Sequence, residues 1–402
     1  MTESATDSTP PRRHGGTPYQ RAARWLLGAV VALILYGSLF PFEFDAPSGL
    51  PLIALVASLR FERASRGDIV ANLLLYIPLG LCLAAALPRR WSAVARFALT
   101  VTAGVLLSLA VELLQTMEPA RVSSLTDVGL NAAGTAIGAL GALIYIAVGT
   151  HVRIPGLVES RPAPVPLGFI LLWLSYRLAP FVPTLDWQKI KDSLKPVFLD
   201  PAFDGFDALR FLVGWLVVAH AVRRIWRREY ALLVLILLAA GTQFGRVLIV
   251  GKTLNPSELV ALVSMFALLP LINRQPTARR LLVLSVALAA IVLAQGLEPW
   301  QLAPVARSFS WVPFMNSLSD SLEVNISVLI EKCFWYASLV WLLSQRTGAL
   351  AASAVGVAIF VGAIECVQLW LPGRSAEITD PLLVLAAGGL LSLLSGKGDR
   401  TN

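Results

Sequence analysis

Three short stretches of the chain set polar side chains at helical spacing inside otherwise apolar sequence. Asp68 and Asn72 are four apart, Glu112 and Gln115 three apart, and Asp127 and Asn131 four apart, so each pair shares one face of a helix. Arg121 and Ser124 fall in the short connection between the second and third pairs. Such a set could bind an ionic headgroup, with Arg121 meeting phosphate or carboxylate and the acids meeting amino groups or hydroxyls. It could also work as acid–base or metal-assisted chemistry through Asp68, Glu112 and Asp127, although no spacing matches a dedicated Mg²⁺ motif. A third use is purely structural: Arg121 bridging Glu112 or Asp127, with Asn72 and Asn131 bonded between helices. No catalytic residue and no cofactor is assigned. The three His (His14, His151, His220) and three Cys (Cys82, Cys333, Cys366) lie in unrelated segments without a CxxC, so no metal site is spelled out.

The elements that carry these residues must live in lipid. Of 402 residues, 56% are apolar and only 14% charged, and mean hydropathy is +0.70. Soluble domains carry roughly 25% charged residues. A chain this apolar cannot cover its surface with polar groups in water. The net charge of +8 comes in short basic bursts between apolar runs, which is a topology signal and not a nucleic-acid footprint. Membrane lipids are the expected surroundings, and nucleic acid is excluded as a partner.

A bilayer-crossing helix needs about 20 apolar residues. Twelve candidate spans follow, at about 24–41, 69–87, 93–115, 127–147, 165–181, 208–222, 229–245, 256–272, 280–297, 325–344, 348–371 and 380–395. Residues 1–20 are polar and read as a disordered tail. No small-residue cleavage site follows the first apolar run at Leu39-Phe40-Pro41-Phe42, so it is kept as a span and not a signal peptide. With the N-terminus inside, alternate loops hold Arg89, Arg90 and Arg96, then Arg153 and Arg161, then Arg223, Arg224, Arg227 and Arg228, then Arg274, Arg279 and Arg280, then Arg346, and last Lys397 and Arg400. The opposite loops carry Glu43, Asp45, Asp186, Asp192, Asp200 and Asp204. Both termini are therefore expected in the cytoplasm.

The chain also repeats itself. Glu112, Gln115, Arg121, Thr126 and Asp127 align without a gap on Glu365, Gln368, Arg374, Thr379 and Asp380. A fainter copy between them places Gln243 twelve residues before Asn255. The first helix of each copy ends alike: Leu39-Phe40-Pro41-Phe42, Leu178-Ala179-Pro180-Phe181 and Leu297-Glu298-Pro299-Trp300. The second helices match more loosely, with Asn72 and Tyr76 against Lys332 and Tyr336. The expectation is an all-α polytopic protein of about twelve spans in three parallel four-helix repeats. Its segments are a tail at 1–20, units at 21–150, 151–275 and 276–396, and a tail at 397–402. Gly134 and Gly138 continue the Asp127 face as a small-xxx-small pair for close helix packing.

DIVANLLLYIPLG (Asp68–Gly80), followed by VELLQ…R…SLTDVGLNAAGTAIG (Val111–Gly138), resembles the VanZ-like family. That family is named for an accessory membrane protein associated with resistance to the glycopeptide teicoplanin. The resemblance implies a membrane location and an envelope-related role, and supplies no established reaction. It is strongest over about residues 24–147. The middle unit departs from the pattern, with Ala240 and Asn255 where the first has Glu112 and Asp127, so it is expected to have shed its acids. The third has Lys332 for Asn72 and Val384 for Asn131. The role expected is binding or moving a lipid or cell-wall precursor headgroup through Asp68, Asn72, Glu112, Gln115, Arg121, Asp127 and Asn131. The alternatives are a membrane enzyme acting on an envelope lipid or polyisoprenoid precursor, and a non-catalytic scaffold for envelope machinery.

The alternation of charge gives a direct topology test. A reporter fused after Arg228 reads cytoplasmic and one placed within 186–204 reads external; the same side for both contradicts the twelve-span reading.

Overall fold

The computed structural model describes residues 18–40, 42, 44, 59–64, 66–118, 123–151, 164–179, 181–199, 201–315 and 322–395. The two expected tails are outside them, apart from residues 18–20, as are Arg121, Arg153, Arg161 and Lys397. Among the described residues there are thirteen helices, and backbone pairing outside them is limited to isolated bridges. The helices are α1 (Pro18–Leu39), α2 (Arg66–Ala86), α3 (Ala93–Gln115), α4 (Leu125–His151), α5 (Pro164–Leu178), α6 (Trp187–Phe198), α7 (Gly205–Ile225), α8 (Arg228–Leu248), α9 (Pro256–Arg274), α10 (Thr277–Leu297), α11 (Leu322–Thr347), α12 (Leu350–Gln368) and α13 (Thr379–Leu394). The protein is all-α.

Twelve of these helices occupy the twelve apolar runs. Eight of them, α3, α4 and α7 to α12, are long and apolar enough to cross a membrane. The described apolar parts of α1, α2, α5 and α13 are shorter. The thirteenth, α6, is amphipathic and lies in the long acidic connection. Asp186 caps it by accepting from the Gln188 amide at 2.9 Å. Lys189 Nζ ties it to the end of α8 by donating to the carbonyls of Arg246 (3.2 Å) and Val247 (2.8 Å). The 182–207 connection thus contains an ordered cap.

Packing follows one pattern three times. In α1–α4, in α5 with α7–α9, and in α10–α13, the second helix (α2, α7 or α11) touches the other three. The third group sits against both others, because α11 also packs on α2 and α5 and α13 on α1. Every side chain of α11 from Phe334 to Leu342 is buried, which marks it as the central helix. A single apolar core runs through the second and third groups. The first group keeps a small separate core around Ile34, Leu39, Tyr76, Leu79 and Val111.

The tightest approach is between α2 and α4. A Cβ at Gly134 would overlap the Leu73 carbonyl oxygen, one at Gly138 the Ile77 carbonyl oxygen, and one at Gly80 the Thr135 carbonyl oxygen. The small-xxx-small pair therefore lets two backbones meet, and holds the wet ends of α2 and α4 side by side. Gly138→Ala forces those helices apart and destabilises the protein by about 1–3 kcal/mol. Gly129→Ala on the same helix, where a Cβ meets nothing within 4 Å, is nearly neutral. Thermal unfolding of both variants in detergent checks the difference.

Candidate functional site

The polar side chains of the first group gather at the acidic end of the bundle, opposite the basic turns. Ser124, just before α4, is buried, so its amide must find an acceptor within the protein. Glu112, buried in the last turn of α3, supplies one: Oε2 accepts from the Ser124 amide at 2.9 Å. On its other side the turn pairs with the 59–64 segment. Arg60 and Ser124 form a parallel bridge, the Leu125 amide donates to the Arg60 carbonyl at 2.9 Å, and Thr126 Oγ1 donates to the Glu62 carbonyl at 2.7 Å. Gln115 Nε2 reaches the end of α1, donating to the Ser38 carbonyl at 2.8 Å.

This frame brings Asn72 and Asp127 together: Asn72 Nδ2 donates to Asp127 Oδ1 at 2.8 Å. Asp68, exposed in the first turn of α2, and Glu62 both lie within electrostatic reach of Asp127. Asn131 is buried one turn deeper and donates to Ser108 Oγ of α3 at 2.9 Å. Of the seven residues expected at the site, Asp68, Asn72 and Asp127 meet at one notch. Glu112, Gln115 and Asn131 are spent closing the frame, and Arg121 lies outside the described residues.

The third group builds the same frame. Glu365 Oε2 accepts from the Glu377 amide at 2.9 Å, again twelve residues on, and Gln368 Nε2 donates to the Gly296 carbonyl at 2.9 Å. Ser310 and Glu377 form the parallel bridge, and the Ile378 amide donates to the Ser310 carbonyl at 3.1 Å. Arg374, the counterpart of Arg121 in the sequence, donates to the carbonyls of Glu298 (2.8 Å) and Gln295 (2.7 Å) and so also ties the turn to the end of α10. The chemistry in the notch differs. Lys332 Nζ donates to Asp380 Oδ1 at 2.7 Å and Tyr336 Oη to Oδ2 at 2.5 Å. Lys332 thus pairs with Asp380, not with the adjacent Glu331 or with Glu365.

All three groups share one further turn. After the first helix, the amides of Phe42, Phe181 and Trp300 donate to the carbonyls of Leu39, Leu178 and Leu297 at 2.7, 2.9 and 2.8 Å. The three aromatic residues sit at φ of 67°, 60° and 62°. That left-handed conformation is uncommon for a residue with a bulky side chain.

The middle group corrects one expectation, for it has not lost its acids. Glu258, at the third position of α9, is fully buried. Arg177 Nε donates to Oε1 at 3.1 Å and its Nη2 to Oε2, while Arg246 Nη1 donates to Oε2 at 2.7 Å. Arg177 stacks over Phe211, 4.3 Å from the ring centre, and Arg246 also donates to the Thr253 carbonyl through Nε at 3.0 Å and Nη2 at 2.6 Å. The carboxylate enters one turn below the Asn255 cap, so comparison at the Asp127 position misses it. The available signal was an arginine, Arg177, inside an apolar run, since a charge there needs a buried partner.

Buried charges left without a partner are costly, about 3–5 kcal/mol. Glu258→Gln strands two arginines and is expected to lower stability by that amount. Glu112→Gln keeps a neutral acceptor for the Ser124 amide and costs only about 1 kcal/mol. Unfolding in detergent measures both; equal losses would mean that the triad is no more demanding than the hairpin closure.

Residues 25–147 match the family model described as VanZ/LLP1. No curated protein and no solved structure matches the chain. The matched segment contains α2, α3 and the Asp127 end of α4, and with them the whole hydrogen-bonded frame. Residues 25–147 are thus similar to the VanZ/LLP1 family, and the chain that carries them is a multi-pass membrane protein.

Proposed function

We propose that the protein serves the bacterial envelope by holding the headgroup of an envelope lipid or cell-wall precursor at the notch formed by Asp68, Asn72 and Asp127. In this reading the chain lies in the cytoplasmic membrane with both termini inside, and its three groups are parallel copies of one four-helix unit. The acidic end then faces outward, level with the outer headgroups.

The observation that carries the proposal is the contrast between two equivalent carboxylates. Asp380 is held by Lys332 and is neutralised where it stands. Asp127 is held by the neutral amide of Asn72, and among the described residues no Lys or Arg makes an ion pair with it. With Asp68 and Glu62 nearby, the notch carries negative charge that a donor-rich ligand, bearing amino groups or hydroxyls, complements. Because Glu112, Gln115 and Asn131 already hold the hairpin, ligand contact falls to the other three residues. A scaffold role would need only the frame.

Mass spectrometry of lipids that co-purify with the protein separates these readings. Asp127→Asn is expected to reduce the bound species about tenfold or more, as loss of a charged hydrogen bond of about 1.5–3 kcal/mol implies. Asp380→Asn leaves it in place. The same lipid complement in wild type and both variants would leave the polar set as helix staples.

A further inference from the structure

At the opposite, basic end of the bundle, the last turns of α7 and α9 meet the first turn of α10 around a second polar cleft. His220, Arg223, Asn273 and Arg280 line its mouth, and Leu216, Leu269 and Leu284 line it one turn deeper. His220 is buried: its Nε2 lies 3.3 Å from Gln345 Oε1 of α11, and its ring centre is 5.2 Å from that of Trp341. Side chains of α11 therefore fix His220 in the wall of the cleft, while Arg223 and Arg280 are only half-buried.

The charge there is uncompensated. Arg280, Arg224 and Arg223 all lie within electrostatic reach of His220, as does Arg280 of Arg223 and Arg224 of Arg280. Among the described residues no Asp or Glu makes an ion pair with any of the three, although other buried arginines of the protein, Arg177 and Arg246, are paired. Two donors point to the same lack: Arg280 Nε and Gln345 Nε2 are buried without a hydrogen-bond acceptor. Like charges held together in a half-buried cleft repel, and unpaired buried donors add to the cost. An anion with several acceptor oxygens answers both.

We propose that Arg223 and Arg280, with His220 and Asn273, hold a phosphate group in this cleft, carried by an anionic phospholipid or free in solution. Guanidinium groups present forked donors that match phosphate oxygens. A basic mouth over an apolar wall at the level of the headgroups is the arrangement that accepts a phospholipid headgroup with the start of its chains. This cleft is independent of the notch at Asp127.

Thermal unfolding of the full chain in detergent tests it, with short-chain phosphatidylglycerol, short-chain phosphatidylcholine and inorganic phosphate as probes. Phosphatidylglycerol is expected to raise Tm by several degrees, since a ligand of the folded state stabilises it, and phosphatidylcholine to raise it less. An equal rise with inorganic phosphate identifies the free anion as sufficient; a rise with the lipid alone shows that the chains contribute. R223Q/R280Q should lose most of the shift, whereas R274Q/R279Q, which removes the same charge from exposed positions at the same end, should keep it. Without ligand, R223Q/R280Q should melt no lower than wild type, because it relieves repulsion. If the double variant does not fold, R280Q alone should lose at least half of the shift. No shift in wild type with either anion, or the same shift in R223Q/R280Q or R280Q as in wild type, overturns the proposal.

Discussion

Glu112 takes the Ser124 amide in a turn where packed protein, not water, surrounds both groups. In such surroundings an unsatisfied amide costs several kcal/mol, so each hairpin at the bilayer edge needs its own acceptor. The carboxylate that closes the turn also sets what lies beside it. With Ser124 fixed against Glu112 and Arg60, the next helix begins at Leu125. Asp127 is then placed in its first turn, where the partial positive charge of the helix start favours an anion. The notch with Asn72 is thus a consequence of how the turn is satisfied. Glu365, Glu377 and Asp380 repeat the relation with the same spacing.

The first and third groups share that frame, the middle group has Ala240 where its closing carboxylate would stand, and the three carry three charge balances. The first has Asp127 with neutral Asn72, the third has Asp380 with Lys332, and the middle has one glutamate between two arginines. The frame constrains where a polar group enters and leaves its sign open. Position 38 of the first group shows this well. Ser38 and Gly296, which immediately precede Leu39 and Leu297, offer backbone carbonyls to Gln115 and Gln368. Arg177, which precedes Leu178, instead sends its own side chain to Glu258, and both side-chain amide atoms of Gln243 are left buried without a partner.

Much of this was legible in the sequence because the signals were local. Apolar runs located the helices, and Gly134 with Gly138 marked the face where α2 and α4 meet. Gln115 and Gln368 could be matched by spacing alone. What escaped depends on pairs far apart in the chain. Lys332 is next to Glu331 and near Glu365 in the aligned pattern, yet its partner is 48 residues away in Asp380. Glu258 lies one turn past the aligned position, and its counter-ions come from α5 and α8. The 182–207 connection is long enough, by sequence alone, to be an ordered cap or a mobile lid; Asp186 and the apolar side of Trp187–Phe198 give α6 its start and face.

Burial explains why charge survives at one notch and is cancelled at the other. The third group is wedged between its neighbours, α11 is buried all round from Phe334 to Leu342, and Asp380 is 4% exposed. A carboxylate there must be paired or the site destabilises the core. Lys332 and Tyr336 provide that pairing. The first group packs on the rest chiefly through α1 and α2, has its own small core, and leaves Asp127 half-buried near the end of the bundle. There solvent screens much of the cost, so a neutral Asn72 is enough to hold the carboxylate. The same exposure that makes a net charge tolerable is what the proposed headgroup ligand would need. The group at the centre of the assembly has its carboxylate paired, and the group at its edge is the one where the proposal places an open polar site.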